Sequence, residues 1–534
     1  MVVGHLAGAL GLVVLLTACQ AGGPTGPTGP TGPAPRAVRR TPGPAWPAVT
    51  AAAAPGAVRA RAHAGAHGVV PTVAPGTRSW RLRRPALAGQ VAGFATRVSG
   101  PPGRPVGLAV STSSSAFRVT AYRIGAYRGG DGLRVWRSRW VPGTTQPGPR
   151  LSPARTRTVV APWHRSLTVP TRGWAPGFYL FDLTTRDGWQ AQVPYVVRSV
   201  STAGRVVLMA PTATWQAYDD WGGYDLYHGS GGDRRSWAVS YHRPYPAPGA
   251  GEMRFGVVPF VTVAERAGVP LAYLADVDLD TDPGALAGAR AFVSIGHDEY
   301  WTRTRWDAVR RAREAGTNLA FFGADTAYWK IRLTPSRRAA RTVVGYRTDA
   351  GLDPLRTTDP RDATGAFRDD PATGPESTLT GVQYECFPVD TGYRVTSPRW
   401  WGFGGTHVRA GTTFPHLVGV EADRVYPLPS TPRPLQVLSS ADYDCDGVPT
   451  STQSVYYTAR SGAGVFTAGT LRWTCALVGH CRPYHLGNRT RRFTRMVTQR
   501  VLRVFAAGPA GRRHPAHDNL GRFALSPVNT VPAS

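Results

Sequence analysis

The chain has 534 residues, 42% hydrophobic and 18% charged, an ordinary balance for folded protein with room for two or three domains. Its formal charge of +29 would suit an anionic polymer. However, Lys330 is the only lysine, the arginines are scattered rather than gathered in a stripe, and no nucleic-acid motif has its expected spacing, so no specific nucleic-acid partner is expected.

The N-terminus reads as an address. Met1–Ala18 is apolar and runs into Cys19, and "LLTACQ" resembles a bacterial lipobox, in which the peptide is cut before the Cys and its thiol is lipidated. No Lys or Arg precedes the apolar core, so an ordinary secretory signal with an incidental Cys is the alternative. Either way the expectation is export, as a cell-membrane lipoprotein facing outward or as a secreted protein. Residues 20–76 are rich in Pro, Gly, Ala and Thr and hold too few large apolar side chains to offset the entropy of ordering. They are read as a disordered tether.

Residues 77–201 carry short alternating or apolar runs such as "RPVGLAVST", "SAFRVTAYRIG" and "GFYLFDLTT", separated by Gly/Pro turns. This pattern predicts an antiparallel β-sandwich of immunoglobulin-like size. From 202 to 508 the rhythm changes. "RVVLMAP", "LAYLADVD", "AFVSIG" and "NLAFFGAD" are buried-looking strands. Helices are expected at "FGVVPFVTVAERAG", "PGALAGA" and "WTRTRWDAVRRAREAG", so the order predicts a doubly wound parallel sheet. A last helix is expected at "TRRFTRMVTQRVLRVFAAG", and residues 509–534 read as a disordered tail.

Beyond Cys19 there are four cysteines, Cys386, Cys445, Cys475 and Cys481. An even count in an exported chain suggests two disulfides. Three pairings are allowed; the most economical joins Cys475 to Cys481 and Cys386 to Cys445. A four-cysteine metal site lacks any C-x-x-C spacing.

In doubly wound sheets ligands bind beyond the carboxyl ends of the strands. "GHDE" follows one such end. His297 and Glu299 stand two apart and share a side if the backbone stays extended. An imidazole and a carboxylate there suit a metal ligand with a general base, or an acid–base pair. Asp298 is expected to cap the following helix. "PTATWQAYDDWGGYDLYH" follows the first parallel strand and is crowded with Trp215, Tyr218, Trp221, Tyr224 and Tyr227. It reads as an aromatic lid or a sugar-stacking surface, with Trp215 and Trp221 as the expected substrate contacts. Asp325 in "FFGAD" and Glu421 in "GVEADR" are the remaining candidates.

"TWQAYDDWGG", "SYHRPY", "GHDEYW", "FFGADTAYW" and "SGAGVFTAG", in this order, resemble the C-terminal domain of the N,N-dimethylformamidase large (beta) subunit family, and "AYRIGAYRGG" and "PGFYLFDL" match the sandwich that precedes it there. The resemblance covers about Val91 to Ala507. It implies an immunoglobulin-like β-sandwich followed by a glutamine-amidotransferase-like doubly wound α/β domain. It also implies hydrolysis of a C–N, amide-type bond at a mononuclear iron held by two tyrosines and one glutamate. Carried over by motif, Glu299 and Tyr218 are ligands, with Tyr179 the first choice for the second tyrosine and Tyr245 the reserve. His297, Asp325 and Glu421 would supply acid–base function. An amide residue is common in the family where Asp325 stands.

Ferric iron is hard and takes phenolate and carboxylate oxygen well. The cofactor the resemblance implies is iron (Fe3+), and the function it implies is that of a surface-anchored amidohydrolase-type enzyme. The alternative is a non-enzymatic cell-envelope carbohydrate-binding protein. The partners these readings imply are a small-molecule or cell-envelope substrate and, through a lipid anchor, the membrane; a homo-oligomer is also allowed.

Overall fold

The computed structural model describes residues 74–334 and 342–528. Cys19, the lipobox and nearly all of the tether expected over 20–76 lie outside the described residues. Strands take 35% and helices 20%, so the chain is mixed and β-rich. Among the described residues no helix is long and apolar enough to cross a membrane.

The first part is mostly antiparallel, with the short strand Ser99–Gly100 pairing parallel to Gln190–Val197. One sheet orders the strands Val91–Ala95, Val106–Thr112 and Leu167–Val169. The second centres on Gln190–Val197, Gly177–Thr185, Ala116–Tyr127 and Gly130–Arg137. Successive side chains on a strand face opposite ways. Accordingly Tyr179, Phe181 and Leu183 join Val106, Leu108 and Val110 in the core between the two sheets. Phe178 and Leu180 turn the other way and join the core of the following part. The second sheet is thus covered on both faces. Across that junction a buried Arg123–Glu265 ion pair at 2.8 Å is completed by the Tyr273 hydroxyl, which donates to Glu265 Oε1 at 2.7 Å.

The second part is built on a seven-stranded sheet in the order Leu271–Ala275, Val206–Ala210, Ala291–Ile295, Asn318–Phe322, Gly464–Thr467, Val448–Thr458 and Leu435–Cys445. The first five run parallel and the last two antiparallel. All four apolar runs read as strands in the sequence are present. They are apolar throughout because both faces are buried: Val207, Met209, Phe292 and Phe321 pack on one side, and Leu208, Val293, Ile295 and Phe322 on the other.

Three local expectations are corrected. No helix forms at "PGALAGA"; the helix is Asp276–Thr281, directly after the strand, where the Asp278 side chain accepts the backbone N–H of Ala275 at 2.8 Å. The helix Arg303–Glu314 is capped by Thr302, whose hydroxyl accepts the N–H of Arg305, rather than by Asp298. Residues 509–528 of the expected disordered tail are packed: Leu520 is buried and Asn519 Oδ1 accepts the N–H of Val437 at 2.7 Å. Both disulfides pair as expected, Cys386–Cys445 and Cys475–Cys481.

Candidate functional site

Three loops at the carboxyl ends of adjacent parallel strands converge. The strand Val206–Ala210 feeds the buried helix Thr212–Ala217 and then Tyr218. Ala291–Ile295 feeds Gly296 to Glu299, and Asn318–Phe322 feeds Gly323 to Asp325. Glu421 arrives from a separate two-stranded ribbon, Gln383–Arg394 with Thr413–Arg424. Gly296 turns the chain at φ +69, and a Cβ on Gly323 would fall 2.0 Å from the Gly296 carbonyl oxygen, so the two loops touch only because both residues are glycine. Thr214 ties the first loop to the second: its hydroxyl accepts the backbone N–H groups of Glu299 at 3.0 Å and Tyr300 at 3.2 Å.

Beneath the loops lies a fully buried arginine. Arg305 stands 3.1 Å from Asp276, 3.6 Å from Asp298 and 3.8 Å from Asp280, and donates to the Tyr300 carbonyl at 3.1 Å. Asp276 in turn accepts the N–H of Ala213 at 2.7 Å. Asp298 also accepts the Ser294 hydroxyl at 2.7 Å. Its role is to pin the base of the site.

Glu299 is the centre. It is buried and accepts the hydroxyls of Tyr218 at 2.7 Å and Tyr227 at 2.9 Å. The Tyr227 hydroxyl is also 2.6 Å from that of Tyr218 and 2.8 Å from that of Tyr300. Burial and the adjacent Glu299 push the Tyr218 and Tyr227 phenols well above their usual range, and Arg347 opposes this at Tyr227. The Arg347 guanidinium lies 3.6 Å from the centroid of the Tyr227 ring. Arg347 also holds a left-handed backbone at φ 52, a strained conformation for a side chain of this size.

His297 Nε2 lies 3.3 Å from Glu299 and 3.4 Å from Glu421. Burial alone would lower the imidazole pKa, but Glu421 and Glu299 outweigh it and raise it. Burial pushes Glu421 up, against the pull of His297. Asp325 has φ 52, and its N–H donates to Asp423 at 2.8 Å. Its carboxyl is pushed well up by burial and by Glu299 and Glu421. His297 Nε2, Glu421 Oε2 and Asp325 Oδ1 are all buried without a hydrogen-bond partner. Donor atoms of His297, Glu299 and Asp325 lie within 4.8 Å of one another, a group able to hold a metal ion.

Of the sequence candidates, Tyr218, His297, Glu299, Asp325 and Glu421 come together. Tyr179 does not. It is buried between the sandwich sheets, stacked 4.9 Å from Trp174, and its hydroxyl donates to the Ala175 carbonyl at 2.6 Å. Tyr245 lines a small cavity with Trp215, Tyr241 and Arg243. Trp215 is buried in that same wall, and Trp221 packs edge-on at 5.6 Å to Trp163 of the sandwich. Trp215 is buried, whereas Trp221 stays half-buried. The residues not singled out from the sequence are Tyr227, Tyr300 and Arg347. Tyr227 lay within the aromatic loop, and its only signal was that crowding.

The family model described as N,N-dimethylformamidase beta subunit-like, C-terminal, matches residues 118–485. The chain belongs to that family. The match takes in most of the second sheet of the sandwich, all three converging loops and Glu421. No curated protein matches the chain. Among solved structures, a Paenibacillus sp. cycloisomaltooligosaccharide glucanotransferase complexed with cycloisomaltoheptaose aligns at 10% identity and TM-score 0.15, over 48% of this chain and 34% of that one. This chain therefore spans about a third of that protein, and an overlap so slight bears on neither fold nor function.

Proposed function

We propose that the protein is a metal-dependent hydrolase of a C–N, amide-type bond, with a mononuclear iron site held by Tyr218, Tyr227 and Glu299. One observation carries this reading: the Tyr218 and Tyr227 hydroxyls and Glu299 Oε2, three oxygen donors from two loops, lie 2.6–3.1 Å from one another. Metal–oxygen bonds of about 2.0–2.2 Å keep neighbouring donors roughly 3 Å apart. The tyrosine–tyrosine–glutamate set fits that spacing more closely than the His297–Glu299–Asp325 group, and an all-oxygen set suits a hard ferric ion. Family membership supports the hydrolase class.

Bound there, the ion would polarise the scissile carbonyl and acidify a water. The chain's own residues supply the rest. Phenols that resist ionisation in a buried acidic cluster ionise readily beside a cation, because the ion's charge dominates the local field. Arg347, stacked on Tyr227, favours the same ionised form. His297, between Glu299 and Glu421, holds a proton within reach of both carboxylates. Glu421 takes a proton from the attacking water and returns it, through His297, to the departing nitrogen. Tyr218, 37% exposed, marks the open mouth.

We further read the first part as an immunoglobulin-like sandwich and the second as a glutamine-amidotransferase-like α/β domain. The Tyr179 hydroxyl, bonded to a carbonyl four residues upstream in the manner of a tyrosine corner, supports the former. The lipobox around Cys19 supports outward anchoring at the cell membrane, and the two disulfides are consistent with export.

The test is elemental analysis and visible absorption of the purified protein, followed by a panel of small amides. Stoichiometric iron with a tyrosinate charge-transfer band, both lost in Glu299→Gln, is expected. Protein that takes up no metal under any loading condition would overturn the assignment.

A further inference from the structure

A second feature lies apart from the Glu299 cluster. A groove of about 710 Å³ runs between residues 78–85, the turn Gly129–Asp131, the helix Val258–Glu265 and the loop carrying Val478 and His480. None of the cluster's side chains lines it.

Its charge is one-sided. Arg78, Arg81, Arg254, Arg266 and Arg495 line it against one carboxylate, Asp131. Asp131 is already engaged, accepting Trp80 Nε1 and Arg81, each at 2.7 Å. Arg254 is held only by neutral oxygens, the Gly249 carbonyl and Gln192 Oε1 at 3.1 Å. Arg495 likewise donates to the Leu477 carbonyl at 2.6 Å. Burial, and then Arg491 and Arg266, push the Arg495 pKa down, so like charges crowd here. Half-buried guanidinium groups bonded to carbonyls keep their charge available to a ligand.

The groove also offers an apolar face. Phe255 is 60% exposed, on the π-helical turn Met253–Val257. Such turns recur at functional sites. Next to it the wall is made by Pro248, Val258 and Pro259.

We propose that this groove binds an acidic polysaccharide, a chain of pyranose rings bearing carboxylates. The C–H face of a sugar ring packs on Phe255 and the proline wall, while arginine forks take the carboxylates in pairs. A concave groove cannot lie against a flat bilayer. The chain's own N-terminal segment is a poor occupant, since it carries Arg36, Arg39, Arg40, Arg59 and Arg61 and no acidic residue before Asp131 to offset them. The proposal does not depend on the hydrolase reading.

The experiment is titration of the full-length protein with polygalacturonate oligomers at physiological salt. Neutral dextran, a polyglycerol-phosphate, a single-stranded oligonucleotide and anionic vesicles run in parallel. Polygalacturonate is expected to bind most tightly. Arg254→Gln should weaken it roughly tenfold, and Arg266→Gln and Phe255→Ala, at exposed positions where folding is not at stake, by about three- to tenfold. Glu299→Gln should leave it unchanged. Equal or tighter binding of any of the other four probes, or affinity unaltered in both exposed variants, would overturn the proposal.

Discussion

The Tyr227 hydroxyl lies 2.9 Å from Glu299 Oε1, and the two residues come from different strand ends. Under the proposed iron site, that contact places the second tyrosine ligand in the aromatic loop rather than in the sandwich. Tyr227→Phe is therefore expected to abolish the charge-transfer band and reduce bound iron as strongly as Tyr218→Phe. Tyr179→Phe should keep both and lose only about 1 kcal/mol of stability, the worth of one buried hydrogen bond. Iron quantification beside the visible spectrum separates the cases, and an intact band in Tyr227→Phe would remove that residue from the ligand set.

His297 and Glu421 are assigned to proton movement rather than to metal binding. Glu421→Gln should retain iron and the band while lowering kcat on an amide substrate by about 10²–10⁴-fold. His297→Asn should act in the same direction, and the double variant should cost little more than either single one. Full multiplicativity in the double variant would argue against a shared proton path.

Arg305 meets Asp276, Asp298 and Asp280 without exposure to water. Removing the guanidinium strands buried carboxylates, at a cost of about 3–5 kcal/mol. Arg305→Met should lower Tm sharply and loosen the loops that carry Tyr218 and Glu299. Thermal unfolding with and without added iron measures both effects.

Asp182, buried on the face of the Gly177–Thr185 strand that turns away from the sandwich core, offers a test at a distance from the site. Burial pushes its carboxyl up to about 7, with the Thr184 hydroxyl opposing. The unfolded value is near 4. A raised carboxylate contributes stability that is full below pH ~4 and is lost as pH rises through ~7. Asp182→Asn should thus raise Tm on the order of 2–4 °C at pH 8 and leave it nearly unchanged at pH 4. A gain confined to acid pH would reverse the sign and refute the account.

The parallel strands were legible because burial on both faces forces continuous apolar runs such as Val206–Ala210. His297 and Glu299 were legible for a related reason: ionisable groups at the end of such a run need a purpose. Tyr227 was not, because phenols nine residues apart meet only through the path of the intervening loop. Arg347 was hidden further still, since it reaches Tyr227 from a segment 120 residues further along the chain. Asp298 looked like a cap because its neighbour in space, Arg305, is seven positions on and inside the helix. The segment 509–528 looked disordered because its buried apolar anchor, Leu520, stands without a periodic apolar run around it and its other tie, Asn519 to the Val437 N–H, is polar.

Cys386 sits opposite Ala422 in the ribbon that delivers Glu421, and its sulfur is bonded to Cys445 on the edge strand of the main sheet. The staple therefore lies one residue from the carboxylate assigned to proton transfer. On the proposed reading, oxidation of these two thiols would be part of assembling the acid–base machinery.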